Sequence, residues 1–280
     1  MKKLFLILFV VALTVQCKKD VQPLSKNFKT TGIIADSAMV VSARIEASKI
    51  GASILKKGGN AFDAMIATHY ALAVAYPFAG NIGGGGFMVY RKNNGDTGAL
   101  DFREKAPKGA SKNMYLDKNG NIIKGKSTLG AMSIGVPGSV DGMFKVYKKF
   151  GSLPFAELIQ PAIDLAKKGV VVTKKQAKNL AKYRHYFSEV NPNPVFLDAE
   201  WKEGDTIKYP KLAETLKRIR DNGRDGFYKG KTADLLVNYV KTTGGIITHN
   251  DLESYQSIWR KPIEFTYKNL KIISMSPPSS

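Results

Sequence analysis

Arg103 is the residue in this chain whose type and setting best suit ligand chemistry. It ends the run Leu100-Asp101-Phe102 and is followed by Glu104-Lys105-Ala106-Pro107. A guanidinium presents planar, paired donors that match a carboxylate, and it stays charged at any relevant pH. The end of a strand is also where binding residues are often held on a rigid scaffold. The same residue in the same place equally suits a structural salt bridge to Glu104 or another carboxylate. Residue type and position leave both readings open.

The other candidates offer less. His69, His185 and His249 stand far apart without metal-ligand spacing, so no metal is expected, and none of them suggests a catalytic dyad. His69 falls in an apolar helical segment and reads as a packed core residue, whereas His185 and His249 read as surface residues. Cys17 is the single cysteine, which rules out an intrachain disulfide. Gly83 to Gly86 form four consecutive glycines. Such a run lets the backbone take φ > 0 and approach another group closely. A dinucleotide fingerprint would need a strand before it and a helix after it; here a helix precedes and a strand follows. No cofactor is expected, and close backbone packing is the better reading of the glycines.

The elements that must position Arg103 are legible. Phe87 to Tyr90 is apolar throughout, as for a strand buried on both faces. Asn94-Gly95 signals a hairpin through a primed turn, and Ala99 to Phe102 returns as the partner strand. Upstream, Ser42 to Lys57 is a helix with Ser42 as cap, Ile45, Ile50, Ile54 and Leu55 as its apolar side, and Gly58-Gly59 as its stop. Asn60 caps a second helix, Asp63 faces the positive end of its dipole, and the helix is apolar on most sides until Pro77 ends it. Downstream, Lys108 to Met132 reads as loop with a turn at Asn119-Gly120. Helices follow at about Ser139 to Lys149, from Leu153-Pro154 to Gly169, Thr173 to Phe187, Lys211 to Asp221 and Thr232 to Val240. The turn at Asn191-Pro192-Asn193-Pro194 breaks the lysine-rich third of these. Thr248 caps a short segment ending at Tyr255. Pro262 to Met275 alternates as one strand, with Ile263, Phe265 and Tyr267 pointing one way and Leu270, Ile272 and Ser274 the other.

The chain carries 43 Lys and Arg against 23 Asp and Glu, a net charge of +20. The lysines are scattered over helix faces and no nucleic-acid-binding motif is present, so no nucleic acid is expected as a partner. Met1-Lys2-Lys3 followed by Leu4 to Val15 reads as a signal peptide over residues 1–16, too short for a comfortable membrane span. Cys17 sits where a bacterial lipoprotein is cleaved and acylated, although Gln16 is larger than the usual preceding residue. Residues 17–31 read as a polar tether.

Several longer segments then agree with one another. Asn81-Ile82-Gly83-Gly84-Gly85-Gly86-Phe87-Met88 and Leu100-Asp101-Phe102-Arg103-Glu104-Lys105-Ala106-Pro107 resemble the gamma-glutamyltransferases, also called gamma-glutamyltranspeptidases or glutathione hydrolases. Lys57-Gly58-Gly59-Asn60-Ala61-Phe62-Asp63-Ala64 upstream, and Gly135-Val136-Pro137-Gly138, Pro161-Ala162-Ile163-Asp164-Leu165-Ala166 and Asp225-Gly226-Phe227-Tyr228-Lys229-Gly230 downstream, fall in the family's order. The resemblance covers residues 32–280.

It implies a mixed α/β (α+β) fold, the αββα sandwich of the N-terminal-nucleophile hydrolases, with this chain as an incomplete, large-subunit part. Such an enzyme is made as a proenzyme that cuts itself. The threonine newly exposed at the start of the small subunit then attacks the gamma-glutamyl amide of glutathione and related compounds, with its own amine as base. An acyl-enzyme forms, and water, an amino acid or a peptide takes the glutamyl group. Backbone N–H groups stabilise the oxyanion.

The family's threonine follows the motif matched by Pro277-Pro278-Ser279-Ser280, so no catalytic residue is expected within residues 1–280. A small subunit, encoded by a continuation or separately, is the implied partner. The resemblance makes Arg103 the residue that grips the α-carboxylate of the gamma-glutamyl group. The N-terminal segment points separately to a periplasmic or extracellular protein, with three forms open: lipid attachment to the membrane through Cys17, plain secretion, or an uncleaved anchor. A related acylase of the same fold and a non-catalytic remnant are the alternatives.

Overall fold

The computed structural model describes residues 32–191, 197, 199–277 and 279. The signal peptide, the tether with Cys17, the breaker at Pro192 to Pro194, and Pro278 and Ser280 lie outside them. The chain divides into Met1–Ser37 and Ala38–Ser280. In the first unit residues 32–37 are exposed coil with one bend. The second unit carries everything that follows.

It opens with a helical pair, α1 (Ile45–Lys56) and α2 (Ala61–Ala75). Ser42 is not the cap of α1. Arg44 takes that position without a side-chain cap bond, and Ser42 Oγ instead donates to the Arg44 carbonyl at 2.8 Å. Ile45 is 64% exposed, so the buried side of α1 is Ala47, Gly51 and Ile54. Gly51 matters because an added Cβ would lie 2.2 Å from Thr68 Oγ1 on α2, so the two helices approach through it. Gly58 is left-handed at φ +92°, as a helix stop requires. The Asn60–Asp63 pair forms a full capping box: Asn60 Oδ1 accepts from Asp63 N at 3.1 Å, and the Asp63 carboxylate accepts from Asn60 N at 3.0 Å. α2 is the centre of the core, with Ile66, Ala67, Tyr70, Ala71 and Val74 fully enclosed.

Strands β1 (Phe87–Arg91) and β2 (Thr97–Asp101) follow as an antiparallel hairpin, Met88 opposite Leu100. Its loop is Lys92–Asp96, closed by Gly95 N–H to the Lys92 carbonyl at 3.0 Å, with Gly95 alone left-handed. The expected hairpin is present but the expected primed turn is not: Asn94 keeps a negative φ and donates to Asp96 instead. β1 is not buried on both faces. Met88 is buried, but Val89 is 40% exposed; β2, by contrast, is buried on both faces from Gly98 to Asp101.

Then come α3 (Ser139–Phe150), α4 (Phe155–Lys168), β3 (Val170–Val171), α5 (Lys174–Val190), β4 (Thr206–Ile207), α6 (Pro210–Asn222), the one-turn α7 (Asp225–Tyr228), α8 (Gly230–Thr242) and α9 (His249–Glu253). The helices sit within a few residues of their expected bounds. α5 has no buried residue, in keeping with its lysine-rich sequence. Thr248 and Asp251 form a second capping box before α9. β5 (Ile258–Arg260) adds to β2, giving the sheet order β1-β2-β5.

The stretch expected as one strand is a hairpin, β6 (Ile263–Tyr267) and β7 (Leu270–Ser274), turning at Lys268, whose φ is +53°. Tyr267 pairs with Leu270, Phe265 with Ile272 and Ile263 with Ser274, so the two sets expected to point apart share one face. Directly opposed residues of an antiparallel pair point the same way.

α2 also carries a half-buried imidazole. His69 Nε2 is enclosed and has no hydrogen-bond partner. Its ring meets Tyr70 and Phe102 edge-on at 5.9 and 6.3 Å. Burial lowers its pKa from 6.5 to about 4. The folded protein therefore holds His69 neutral where the unfolded chain would protonate it. Its stability should be full above pH 6.5 and fall as pH drops from 6.5 toward about 4, by on the order of 2–3 kcal/mol. Urea titrations of the wild type and of His69→Leu across that window check this. The wild-type decline should flatten in the variant.

Candidate functional site

Arg103 stands exposed one residue past the β1–β2 ladder. That ladder runs beyond the strands proper. Phe102 N–H donates to the Gly86 carbonyl at 3.0 Å, and Gly86 N–H to the Phe102 carbonyl at 3.3 Å. The glycine turn then crosses directly over the Arg103 main chain. A Cβ on Gly85 would lie 2.5 Å from the Phe102 carbonyl oxygen, 2.7 Å from Glu104 N and 2.8 Å from Arg103 Cα. All three are backbone atoms that cannot swing aside. None of Gly83 to Gly86 has a positive φ. The run serves close approach, and the left-handed conformations its composition also permits are unused. On its other side the turn meets α3, whose first N–H groups (Gly138 and Ser139) donate to the Gly84 carbonyl at 2.8 and 3.0 Å.

The Arg103 main chain is bonded at both ends. Its N–H donates to Asp101 Oδ1 at 3.0 Å, and its carbonyl accepts from the Tyr255 hydroxyl at 2.7 Å. Asp101 is buried, and its other oxygen accepts from Arg260 Nε at 2.8 Å and forms an ion pair with Arg260 Nη2. Two residues on, Lys105 exchanges backbone bonds with Val136 at 3.2 and 2.7 Å. Lys105 Nζ also donates to the Gln256 carbonyl at 2.7 Å.

Behind this lies a buried polar network. Asp141, on α3, accepts from Arg224 Nε at 2.5 Å, from Ser257 N at 2.7 Å and from Ser257 Oγ at 2.6 Å. Burial opposes its charge, but the hydrogen bonds from Ser257 and Arg224 outweigh that and hold its pKa below 3.8. Arg224 lies over the Tyr228 ring at 4.2 Å and donates through Nη2 to the Tyr255 carbonyl at 2.5 Å. The Tyr228 and Tyr255 rings are nearly parallel, 6.0 Å apart. Burial raises the pKa of both hydroxyls, so each keeps its proton and its ability to donate.

Of the other sequence candidates, His69 is half-buried rather than a core residue, with its ring edge-on to Phe102, while His185 and His249 are exposed and His249 meets Asp234 at 2.8 Å. Among the described residues no cluster of three His, Cys, Asp or Glu side chains converges as a metal site. None of the described helices is long and apolar enough to cross a membrane. A mainly apolar cavity of about 730 Å³ lies between α5 and the end of α2, lined by Tyr76, Phe78, Tyr183 and Tyr209 among others, and Arg103 does not line it. Sequence reasoning missed Asp141, Arg224, Tyr255 and Arg260. Each is an ordinary residue type in an ordinary segment, and no local signal marks it.

A family model described as Gamma-glutamyltranspeptidase matches residues 47–280. A "Glutathione hydrolase proenzyme" of Pseudomonas sp. (strain A14) is 46% identical over 250 residues, which is 88% of this chain and 44% of that protein. One of Escherichia coli (strain K12) is 43% identical over 253 residues, 88% of this chain and 43% of that protein. This chain thus spans less than half the length of these relatives. The crystal structure of Helicobacter pylori gamma-glutamyltranspeptidase superposes with a TM-score of 0.86 at 45% identity, covering 88% of this chain and 72% of that one. The mixed α/β architecture expected from the sequence is the one these proteins have.

Proposed function

We propose that this chain, which belongs to the gamma-glutamyltranspeptidase family, forms the glutamyl-binding part of a gamma-glutamyltransferase and glutathione hydrolase. The observation that carries this is the setting of Arg103: an exposed arginine on a main chain fixed by the glycine turn, Asp101 and Tyr255. That arrangement suits a rigid fork for the α-carboxylate of a gamma-glutamyl group. The names of the similar proteins, glutathione hydrolase proenzymes, support the same reading.

The chemistry then divides between two parts. This chain orients the donor through its carboxylate. A small subunit led by a threonine supplies the nucleophile and forms the acyl-enzyme, which water or an amino acid resolves. No metal or cofactor is needed for these steps. The purified 280-residue chain is expected to release no aniline from a gamma-glutamyl anilide, and to do so once combined with a threonine-led small subunit. Robust turnover by the pure chain alone would overturn this division of labour. An assembled pair that binds no gamma-glutamyl compound would favour a non-catalytic remnant.

For location we read Lys2-Lys3, the apolar run Leu4 to Val15 and Cys17 as an export signal followed by a lipid-bearing cysteine facing the periplasm or exterior. Intact mass of membrane-extracted protein tests this. A soluble cytoplasmic product retaining Met1 would refute it.

A further inference from the structure

The segment Tyr255–Arg260 lies alongside Asp101–Lys105 in antiparallel sense. Its backbone ladder with β2 covers Ala99 opposite Arg260, Leu100 opposite Trp259 and Asp101 opposite Ile258, and stops there. From that point side chains take over. At one end Arg260 holds the Asp101 carboxylate, whose free oxygen caps the Arg103 N–H. At the other end the Tyr255 hydroxyl reaches the Arg103 carbonyl, and the Gln256 carbonyl takes Lys105 Nζ.

Tyr255 is itself held. Arg224 bonds its carbonyl, Ser257 beside it bonds Asp141, and Gly138 lets its ring in, since a Cβ there would stand 2.2 Å from the Tyr255 oxygen. Tyr255 is buried, so its ring is fixed before any ligand arrives.

We propose that Tyr255 is a positioning residue for Arg103, its hydroxyl fixing the main chain from which the carboxylate-binding guanidinium projects. Tyr255 touches no substrate in this role. It sets how closely the fork matches a donor that carries an α-carboxylate, and so contributes to donor selectivity. The inference rests on the reading of Arg103 given above.

The test uses the assembled two-subunit enzyme. Tyr255→Phe keeps the ring and removes one hydrogen bond. It should raise the KM of gamma-glutamyl donors by about three- to tenfold while kcat moves by less than about twofold. The slow turnover of a 4-aminobutyryl anilide, which lacks the α-carboxylate, should not fall further. Tyr228→Phe removes the hydroxyl that donates to the Pro137 carbonyl in the same network. It should lower Tm without moving donor KM. Arg260→Gln loosens Asp101 from the other end of the segment and should repeat the Tyr255→Phe pattern, which keeps the question answerable if Tyr255→Phe assembles poorly.

An equal loss on both donors would mark Tyr255 as merely structural and overturn the inference. Unchanged donor KM in Tyr255→Phe, alongside a clear loss in Arg103→Ala, would overturn it while leaving the Arg103 reading intact. Unchanged donor KM in Arg103→Ala would remove the underlying reading, and this inference with it.

Discussion

Arg103→Ala in the assembled enzyme is expected to cost roughly tenfold to a few hundredfold in kcat/KM for gamma-glutamyl donors, since a charge-assisted hydrogen bond contributes on the order of 1.5–3 kcal/mol. Much of the loss should appear as weaker donor binding. The α-carboxylate belongs to the part of the substrate common to every gamma-glutamyl donor, so all donors should suffer alike whatever their leaving group. Arg103→Lys keeps the charge but loses the two-pronged geometry and should restore only part of the rate. The protein should remain folded in both variants, because Arg103 is exposed and its main-chain bonds to Asp101 and Tyr255 do not depend on its side chain. Steady-state kinetics on two donors with different leaving groups, with circular dichroism as the folding check, decide this. Unchanged donor kinetics in folded Arg103→Ala would make Arg103 a structural residue.

The largest stability effect is expected at Asp141. Asp141→Ala removes the acceptor for Ser257 N, Ser257 Oγ and Arg224 Nε together. It leaves the buried Ser257 N–H unpaired and deprives the Arg224 guanidinium of its nearest carboxylate, leaving it the Tyr255 carbonyl, Asp225 and the Tyr228 ring. Arg224 is 22% exposed and can recover some hydration, so the cost should be on the order of 3 kcal/mol rather than the upper end for a fully buried pair. Asp141→Asn keeps an acceptor but not the charge and should fall between. Urea denaturation measures both.

The pH dependence identifies the group. The folded pKa of Asp141 lies below its ordinary 3.8, so its charged-form stabilisation is present above 3.8 and lost as pH falls through the folded value. The gap between wild type and Asp141→Ala should therefore narrow at the acid end. A gap that stays constant there would mean that the charge contributes nothing and only packing was lost.

The two variants probe different layers of one assembly. Arg103 stands out in the sequence as a candidate because it sits at a strand end beside a long motif. Asp141 does not, because nothing within several residues of it announces a buried carboxylate. Its partners Arg224 and Ser257 lie 83 and 116 positions away. Tyr255 is 152 positions from the carbonyl it holds.

What the amino-acid order determined by itself is what local chain physics can express. The Asn60–Asp63 and Thr248–Asp251 caps, the left-handed stops at Gly58 and Gly169, the helix of lysines at Lys174–Val190 and the hairpin ahead of Arg103 each depend on a few neighbouring residues, and each is present. Where the reading went astray, a choice between neighbours had been settled by distant packing. Ser42 lost the cap of α1 to Arg44, which bonds Gln176 and the Val171 carbonyl, 132 and 127 positions along the chain. The last strand became a hairpin because Lys268 accepts a positive φ that its residue type does not advertise.

The glycine run shows the division most plainly. Its composition permitted left-handed turns and close approach alike, and only the crossing of Gly85 over Arg103 Cα selected the second. A missing Cβ opens a range of backbone conformations locally. Which one is used depends on what packs against the bare backbone, and that partner is brought there by the fold.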